Sequence, residues 1–128
     1  MLKKILAIDD EPSVTRMIKL NLEETGLYEV LAVNEATSAL PAARRFMPDL
    51  ILLDIMMPGM DGGDVAAEAA ADPVLKHVPI IYLTAAVTKE ELGVEPHFSG
   101  GRRLIAKPIT TKELIDCIEE TLSRNGTC

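Results

Sequence analysis

The sequence of 128 residues lacks tryptophan, has only two cysteines and contains no long apolar run. Its longest apolar runs, such as Ile5–Ile8 and Leu50–Leu53, hold four residues. A helix that spans a membrane needs about 20, so the pattern excludes such a span. Cys117 and Cys128 lack the even, close spacing of a disulfide framework or a zinc site, so we predict reduced thiols. The length predicts a single domain over residues 1–128.

Positive charge is also scarce, because 13 lysine and arginine residues face 20 aspartate and glutamate residues, for a net charge of -7. This charge has the wrong sign for drawing a whole domain onto nucleic acid or anionic lipid, and it favours a protein or a cationic partner. The basic segment 1–4 is followed by an apolar run that ends at Asp9, too early for a signal peptide. We therefore predict a cytoplasmic protein.

Short apolar runs alternate along the chain with stretches of helical period. Continuous apolar runs of this length are typical of parallel strands that helices cover on both faces. The alternation predicts an open α/β sheet with right-handed crossovers. The five predicted strands are Ile5–Ile8, Val30–Val33, Leu50–Leu53, Ile80–Leu83 and Leu104–Ala106.

The first two candidate helices differ in how clearly they begin. The first starts near Pro12, which suits a first turn, and ends before Gly26. Its apolar face is made by Val14, Met17, Ile18 and Leu22. In the second, Pro41 is costly in a helix interior, which favours a late start with Ser38 as the cap and leaves the beginning open.

Three more candidate helices follow. The third is the alanine-rich stretch from about Asp64 to Ala71. The fourth has Thr88 and Glu91 at capping-box spacing, but glycine and proline follow at once, so we predict one or two turns and then irregular chain. The fifth runs from Thr111, and its apolar side is made by Leu114, Ile115, Ile118 and Leu122.

Polar residues stand where the predicted strands end. Parallel strands of an open α/β sheet bring their carboxyl ends to one edge, and ligands bind there. The first strand ends in Asp9 and Asp10, the third in Asp54, the fourth in Thr84 and the fifth in Lys107. The second ends at Asn34, to which we assign no role.

The residue types at these strand ends favour chemistry on phosphate. Converging carboxylates repel each other unless a cation is present, and Mg2+ prefers oxygen ligands, which suits Asp9, Asp10 and Asp54. A carboxylate can also attack phosphorus directly when nearby cations offset the charge of the transferring group. Lys107 is placed to supply such a cation, and the hydroxyl of Thr84 to donate to a phosphoryl oxygen.

Four segments in this order resemble the receiver family of two-component signalling. They are Ile8-Asp9-Asp10-Glu11, the stretch LDIMMPGMDG over 53–62, Leu83-Thr84-Ala85 and Lys107-Pro108-Ile109. The match covers essentially the whole chain. The resemblance implies a flavodoxin-like (βα)5 three-layer sandwich whose five-stranded parallel sheet has the order 2-1-3-4-5. In this sequence we expect its fourth helix to be short or irregular.

The resemblance also implies roles for the site residues. Asp54 is the phosphoacceptor, and Lys107 pairs with the phosphoryl group. Asp10 and Asp54 ligate Mg2+ directly, Asp9 helps through water, and the backbone carbonyl of Met56 is a further ligand. The phosphoryl donor is a sensor histidine kinase or a histidine phosphotransfer protein, and an effector protein receives the signal. The chain is then a switch rather than an enzyme, with no direct contact with nucleic acid or membrane.

Two features depart from the family pattern. Receivers usually carry an aromatic residue three positions before the lysine, where this sequence has Leu104. The preceding segment reads Gly100-Gly101-Arg102-Arg103 instead of Gly-Ala followed by polar or acidic residues. Both changes fall on the face where receivers meet their partners, so the resemblance implies the phosphorylation site more directly than the output.

Three other functions compete with the receiver interpretation. Leu104 and the irregular fourth helix favour a phosphorylation-independent interaction module, whereas the intact site residues oppose it. A phosphatase with an aspartate nucleophile usually has a second aspartate two residues later, where this chain has Met56. A nucleotide or flavin binder is disfavoured, because no glycine-rich phosphate loop follows the first strand.

Overall fold

Strands and helices alternate along the chain, as the hydrophobic pattern predicts. The computed structural model describes residues 2–55, 62–84, 97–99, 102–107 and 110–126. The strands are β1 (Lys3–Ile8), β2 (Tyr28–Val33), β3 (Leu50–Asp54), β4 (Ile80–Thr84), β5 (His97–Ser99) and β6 (Arg102–Ala106). The helices are α1 (Pro12–Glu24), α2 (Ala36–Phe46), α3 (Gly62–Ala71) and α4 (Thr111–Gly126), the last being the fifth candidate of the sequence. The fourth candidate, at Thr88 and Glu91, lies outside the described residues.

The strands form one sheet in the order β2-β1-β3-β4-β6-β5. Neighbours from β2 to β6 all pair in parallel, which confirms the predicted order 2-1-3-4-5 with β6 as the fifth predicted strand. The additional strand β5 pairs antiparallel with β6, with Ser99 opposite Arg102. We did not predict β5, although the sequence Gly100-Gly101 between the two strands is a hairpin signal.

The core has two halves because alternate side chains of each strand point to opposite faces of the sheet. On one face, strand residues pack with α1 and α4; the side chains include Leu52, Ile18 and Ile118. On the other face, strand residues pack with the alanine-rich sides of α2 and α3. The result is the predicted three-layer sandwich. In the described part of the chain, no helix is long and apolar enough to cross a membrane.

Helix α1 has the predicted bounds but a narrower buried face. Pro12 is its first residue, and the chain leaves the helix through Gly26, whose φ of 77° suits a residue without a side chain. Ile18 and Leu22 are buried, whereas Met17 is 41% exposed. The prediction that Met17 belongs to the apolar face was therefore wrong. At 100° per residue it lies about 130° from the centre of the stripe formed by the buried Thr15, Ile18 and Leu22, so its side chain points away from the core.

Helix α2 begins earlier than the position of Pro41 suggests. The helix starts at Ala36, and Glu35 rather than Ser38 stands at its cap, so the late start was wrong. Pro41 lacks the N–H that would bond the Thr37 carbonyl, but Thr37 is exposed and water can bond that group instead. Burial of the alanine face against the sheet offsets the remaining cost.

A polar cluster ties α4 to the amino ends of β1 and β2. Glu119 on α4 accepts hydrogen bonds from the Lys3 ammonium at 2.8 Å and from the Tyr28 hydroxyl. Burial and the neighbouring Glu119 carboxylate raise the pKa of Tyr28, so its hydroxyl stays protonated. Hydrogen bonds from Lys3, and then from Tyr28, lower the pKa of Glu119. This cluster lies at the opposite end of the sheet from the strand ends that carry the acidic residues.

Removing the Tyr28 hydroxyl is expected to weaken this attachment. Tyr28→Phe should lower the free energy of unfolding by about 1 kcal/mol, because Glu119 is partly exposed and water replaces part of the lost bond. The pKa of Glu119 is lowered by folding, so its contribution is present above its ordinary value of 4.5 and is lost as the pH falls through the folded value. Urea unfolding at pH 7 and at pH 3 checks this: the two proteins should differ less at pH 3.

Candidate functional site

The predicted site residues are gathered at the carboxyl edge of the sheet. Asp9 follows β1, Asp54 and Thr84 are the last residues of β3 and β4, and Lys107 follows β6. Backbone hydrogen bonds hold these ends in register. The Asp9 N–H donates to the Val33 carbonyl at 3.1 Å, and the Lys107 N–H donates to the Thr84 carbonyl at 2.8 Å. The sheet itself therefore fixes where the functional side chains start.

Three carboxylates form a cluster at this edge. One oxygen each of Asp9, Asp10 and Asp54 lies within 4.8 Å of the others. Asp9 and Asp54 are 0% and 3% exposed, and Asp10 is half-buried. Water screens these buried charges poorly, so the carboxylates repel each other strongly unless a cation lies among them.

Lys107 brings a positive charge into the cluster. Its ammonium nitrogen lies 2.6 Å from Asp9 Oδ2 and donates a hydrogen bond of 3.3 Å to Asp54 Oδ2. The exposed Glu11 carboxylate lies farther away, at 3.7 Å. Burial by itself lowers the pKa of Lys107, but the contacts with Asp9 and then Asp54 outweigh it and raise that pKa above its ordinary value. Lys107 is therefore a cation throughout the physiological range of pH.

The donor set of the cluster is compatible with a hard divalent cation. Its ligands are carboxylate oxygens, which Mg2+ prefers over nitrogen and sulfur. Asp9 Oδ2 is buried and accepts no hydrogen bond of regular geometry from the part of the chain that is described, although the Lys107 ammonium is close. A buried carboxylate oxygen in that condition is suited to a further cationic partner, direct or through water. The residues present thus fit a magnesium site.

The other two predicted site residues are Thr84 and Met56. Thr84 is buried, and its strand runs between β3 and β6, the strands that carry Asp54 and lead to Lys107. It therefore lies at the same edge as the cluster. Met56, predicted to offer a backbone carbonyl, lies outside the described residues, and its role stays a prediction.

Asn34 and Thr15 contact the acidic loop, residues 9–11 between β1 and α1, and neither contact was predicted from the sequence. The side-chain amide of Asn34 donates one hydrogen bond to the Asp9 carbonyl at 2.8 Å and another to the Thr15 hydroxyl at 2.9 Å. Thr15 is 1% exposed although it lies on α1. The available signal was a polar residue directly after β2, at the same edge as the acidic residues.

Comparisons with known proteins agree with this geometry. Residues 5–119 match the response regulator receiver domain family. The DNA-binding response regulator MtrA of Mycolicibacterium smegmatis is 38% identical over 127 residues, which are 98% of this chain and 53% of that protein. The response regulator PleD of Caulobacter vibrioides is 37% identical over 111 residues, which are 85% of this chain and 24% of that protein. The chain thus spans about half the length, or less, of these curated relatives.

Solved structures give the same result. A CheY-like response regulator receiver domain protein from Methanospirillum hungatei superposes with a TM-score of 0.81 at 25% identity, over 99% of this chain and 98% of that one. The chemotaxis protein CheY4 of Vibrio cholerae superposes with a TM-score of 0.79 at 25% identity, over 94% and 98%. With a family match over 115 of 128 residues (5 to 119), the chain belongs to the response regulator receiver domains, the signalling switches of two-component systems.

Proposed function

We propose that this receiver takes a phosphoryl group from a phosphohistidine donor onto Asp54 in the presence of Mg2+. The observation that carries the proposal is the position of the Lys107 ammonium, which lies against both Asp9 and Asp54 at the carboxyl edge of the sheet. An ion-paired carboxylate in a cluster compatible with a metal is equipped for phosphoryl transfer and has no evident structural purpose at a strand end.

The transfer is a displacement at phosphorus. A carboxylate oxygen of Asp54 forms a bond to the phosphorus atom while the bond from phosphorus to the donor imidazole nitrogen breaks. The imidazole leaves with the bonding electron pair and is neutral, because its other ring nitrogen either already carries a proton or the leaving nitrogen takes one from solvent. The product is an aspartyl phosphate, whose acyl phosphate bond water can later hydrolyse.

Each side chain has a distinct task in this step. Asp10 and Asp54 would hold Mg2+ directly, Asp9 would do so through water, and the Met56 carbonyl would be a further ligand. The bound ion would supply positive charge to the phosphoryl oxygens. Lys107 supplies the second positive charge, and it moves from Asp54 toward the phosphoryl oxygens as these replace the carboxylate charge. The Thr84 hydroxyl is proposed to donate to a phosphoryl oxygen and so to report that phosphate is present.

The proposed partners follow from the two-component role. A sensor histidine kinase or a histidine phosphotransfer protein supplies the phosphoryl group, and a downstream effector protein responds to the phosphorylated state. Added charge at Asp54 shifts an equilibrium between two conformations, and it does so only by the difference in free energy that it makes between them. We propose that this exchange takes place in the cytoplasm, without direct contact between this chain and nucleic acid.

Phosphorylation by a small donor tests the proposal without knowledge of the kinase. The purified protein is incubated with acetyl phosphate, with Mg2+ or with EDTA, and its intact mass is followed. We expect a gain of one phosphoryl group in Mg2+ alone. A folded protein that gains none with acetyl phosphate or with a phosphorylated histidine phosphotransfer domain would instead favour a phosphorylation-independent interaction module.

A further inference from the structure

Asn34 links the acidic loop to the first turn of helix α1. Both N–H groups of its side-chain amide are used, one on the Asp9 carbonyl and one on the Thr15 hydroxyl. The Thr15 hydroxyl in turn donates to the Pro12 carbonyl at 3.2 Å. These three hydrogen bonds connect the two ends of the acidic loop, residues 9–11. The loop joins β1 to α1 and carries two of the three clustered carboxylates.

The bond to the Asp9 carbonyl bears directly on Asp10. A peptide unit is planar, so the Asp9 carbonyl oxygen lies in one plane with the nitrogen and the Cα of Asp10. Fixing that oxygen fixes where the Asp10 side chain starts. On its other side, Asp9 is held by its own N–H, which donates to Val33, and its Oδ1 accepts from the Glu11 N–H at 3.0 Å. Asp10 therefore projects from a loop whose backbone is held at both ends.

Thr15 gives the Asn34 amide a firm support. The Thr15 side chain is buried, so its hydroxyl has little access to water and depends on partners in the protein. It accepts from Asn34 and donates to Pro12, which uses both its accepting and its donating capacity. Asn34 itself is half-buried, so loss of its amide does not open the core.

We propose that Asn34 and Thr15 are positioning residues that hold the acidic loop in the geometry that binds Mg2+. The inference rests on the proposed function, because it assigns these residues to the metal site that Asp9, Asp10 and Asp54 would form. Repulsion among the carboxylates favours loop conformations in which they separate, and the Asn34 bonds oppose that separation before the metal arrives. Partners that orient metal ligands typically change metal affinity by about 10-fold to 100-fold when removed.

Magnesium affinity measured by calorimetry on the whole protein tests this proposal. We expect Asn34→Ala and Thr15→Val to weaken Mg2+ binding by about tenfold, while Thr15→Ser, which keeps the hydroxyl, binds close to wild type. Tyr28→Phe is the matched control, because Tyr28 begins β2 and Asn34 follows its last residue, so the two lie at opposite ends of one strand. That control should lose stability and keep its Mg2+ affinity.

The metal dependence of phosphorylation by acetyl phosphate separates positioning from general damage. In Asn34→Ala, more Mg2+ should be needed for the half-maximal rate, by the same factor of about ten, and the rate at saturating Mg2+ should return to within about threefold of wild type. Wild-type Mg2+ affinity in both Asn34→Ala and Thr15→Val would overturn the proposal. So would an equal loss of affinity in Tyr28→Phe. Wild-type protein that binds Mg2+ but takes up no phosphoryl group would overturn the proposed function alone, and the affinities would still decide the positioning role.

Discussion

Asp54→Asn is expected to abolish phosphoryl uptake while leaving the protein folded. An amide oxygen is a far weaker nucleophile than a carboxylate, and a phosphoryl group on an amide is not a stable product, so no other route replaces the lost one. Asparagine has nearly the same shape and can still accept a hydrogen bond from Lys107, which keeps its 2.6 Å contact with Asp9. The substitution also removes one of three repelling charges. Stability should therefore change by no more than about 1 kcal/mol.

Asp49→Asn provides the matched control for this variant. Asp49 stands directly before β3 and Asp54 ends it, so the same chemical change is made at opposite ends of one strand. The Asp49 carboxylate accepts a hydrogen bond from the Lys4 N–H at 2.8 Å and has no place in the acidic cluster. Asp49→Asn should gain one phosphoryl group at the wild-type rate. Intact mass after incubation with acetyl phosphate and Mg2+ decides the matter, and a phosphorylated Asp54→Asn would show that another residue is the acceptor.

The strands could be predicted because each one is marked by a short, continuous apolar run in the sequence. A strand covered on both faces must be apolar at every position, and five such runs stand out from the sequence. The structure extends each run by two residues at most, to polar residues such as Lys3 and Thr84. The order of the strands could not be derived from the runs alone, since pairing is a long-range property. It came from the resemblance to receivers.

The errors in the helices and at the sheet edge arise where tertiary packing overrides local preference. Pro41 disfavours a helix interior by itself, but burial of the alanine face of α2 outweighs that cost. Met17 is apolar like Ile18, but it lies on the side of α1 that faces away from the sheet and is therefore exposed. Strand β5 is three residues long, too short for alternation to be recognised.

The candidate site divides in the same way. The sequence was enough to predict that Asp9, Asp54 and Lys107 lie close together, because residues at the carboxyl ends of parallel strands meet at one edge of the sheet. Asn34 and Thr15 could not, because their bonds depend on side-chain directions that no spacing rule contains. The contacts of the Lys107 ammonium with both Asp9 and Asp54 likewise become visible only in the three-dimensional structure. The sequence pattern therefore indicates which groups meet at a site more readily than which groups orient them.

Lys107→Met is expected to separate metal binding from phosphoryl transfer. Without the ammonium, two buried carboxylates lose their cation, and the free energy of unfolding at pH 7 should fall by about 3 kcal/mol. Mg2+ then no longer competes with a positive side chain for those oxygens, so its affinity should rise by about tenfold. Phosphorylation by acetyl phosphate should nevertheless slow by on the order of 100-fold, because a charge that stabilises the transition state is gone. Calorimetry and intact mass, each measured over a range of Mg2+ concentrations, give the two quantities.

The pH dependence of stability tests whether loss of the Lys107 ion pairs is what destabilises Lys107→Met. Folding raises the pKa of Lys107 above its ordinary 10.5, so the stabilisation it provides is complete below that pH and is lost as the pH rises through the folded value. The difference between wild type and Lys107→Met should therefore persist at pH 9 and diminish only in stronger alkali. Lys19→Met breaks a half-buried ion pair with Glu23 and a hydrogen bond to the Val30 carbonyl, so it should cost about 1 kcal/mol and leave phosphorylation unchanged. If Lys107→Met were phosphorylated as fast as Lys19→Met, Lys107 would be a structural counter-ion to Asp9, and the charge on the transferring group would have to be balanced elsewhere.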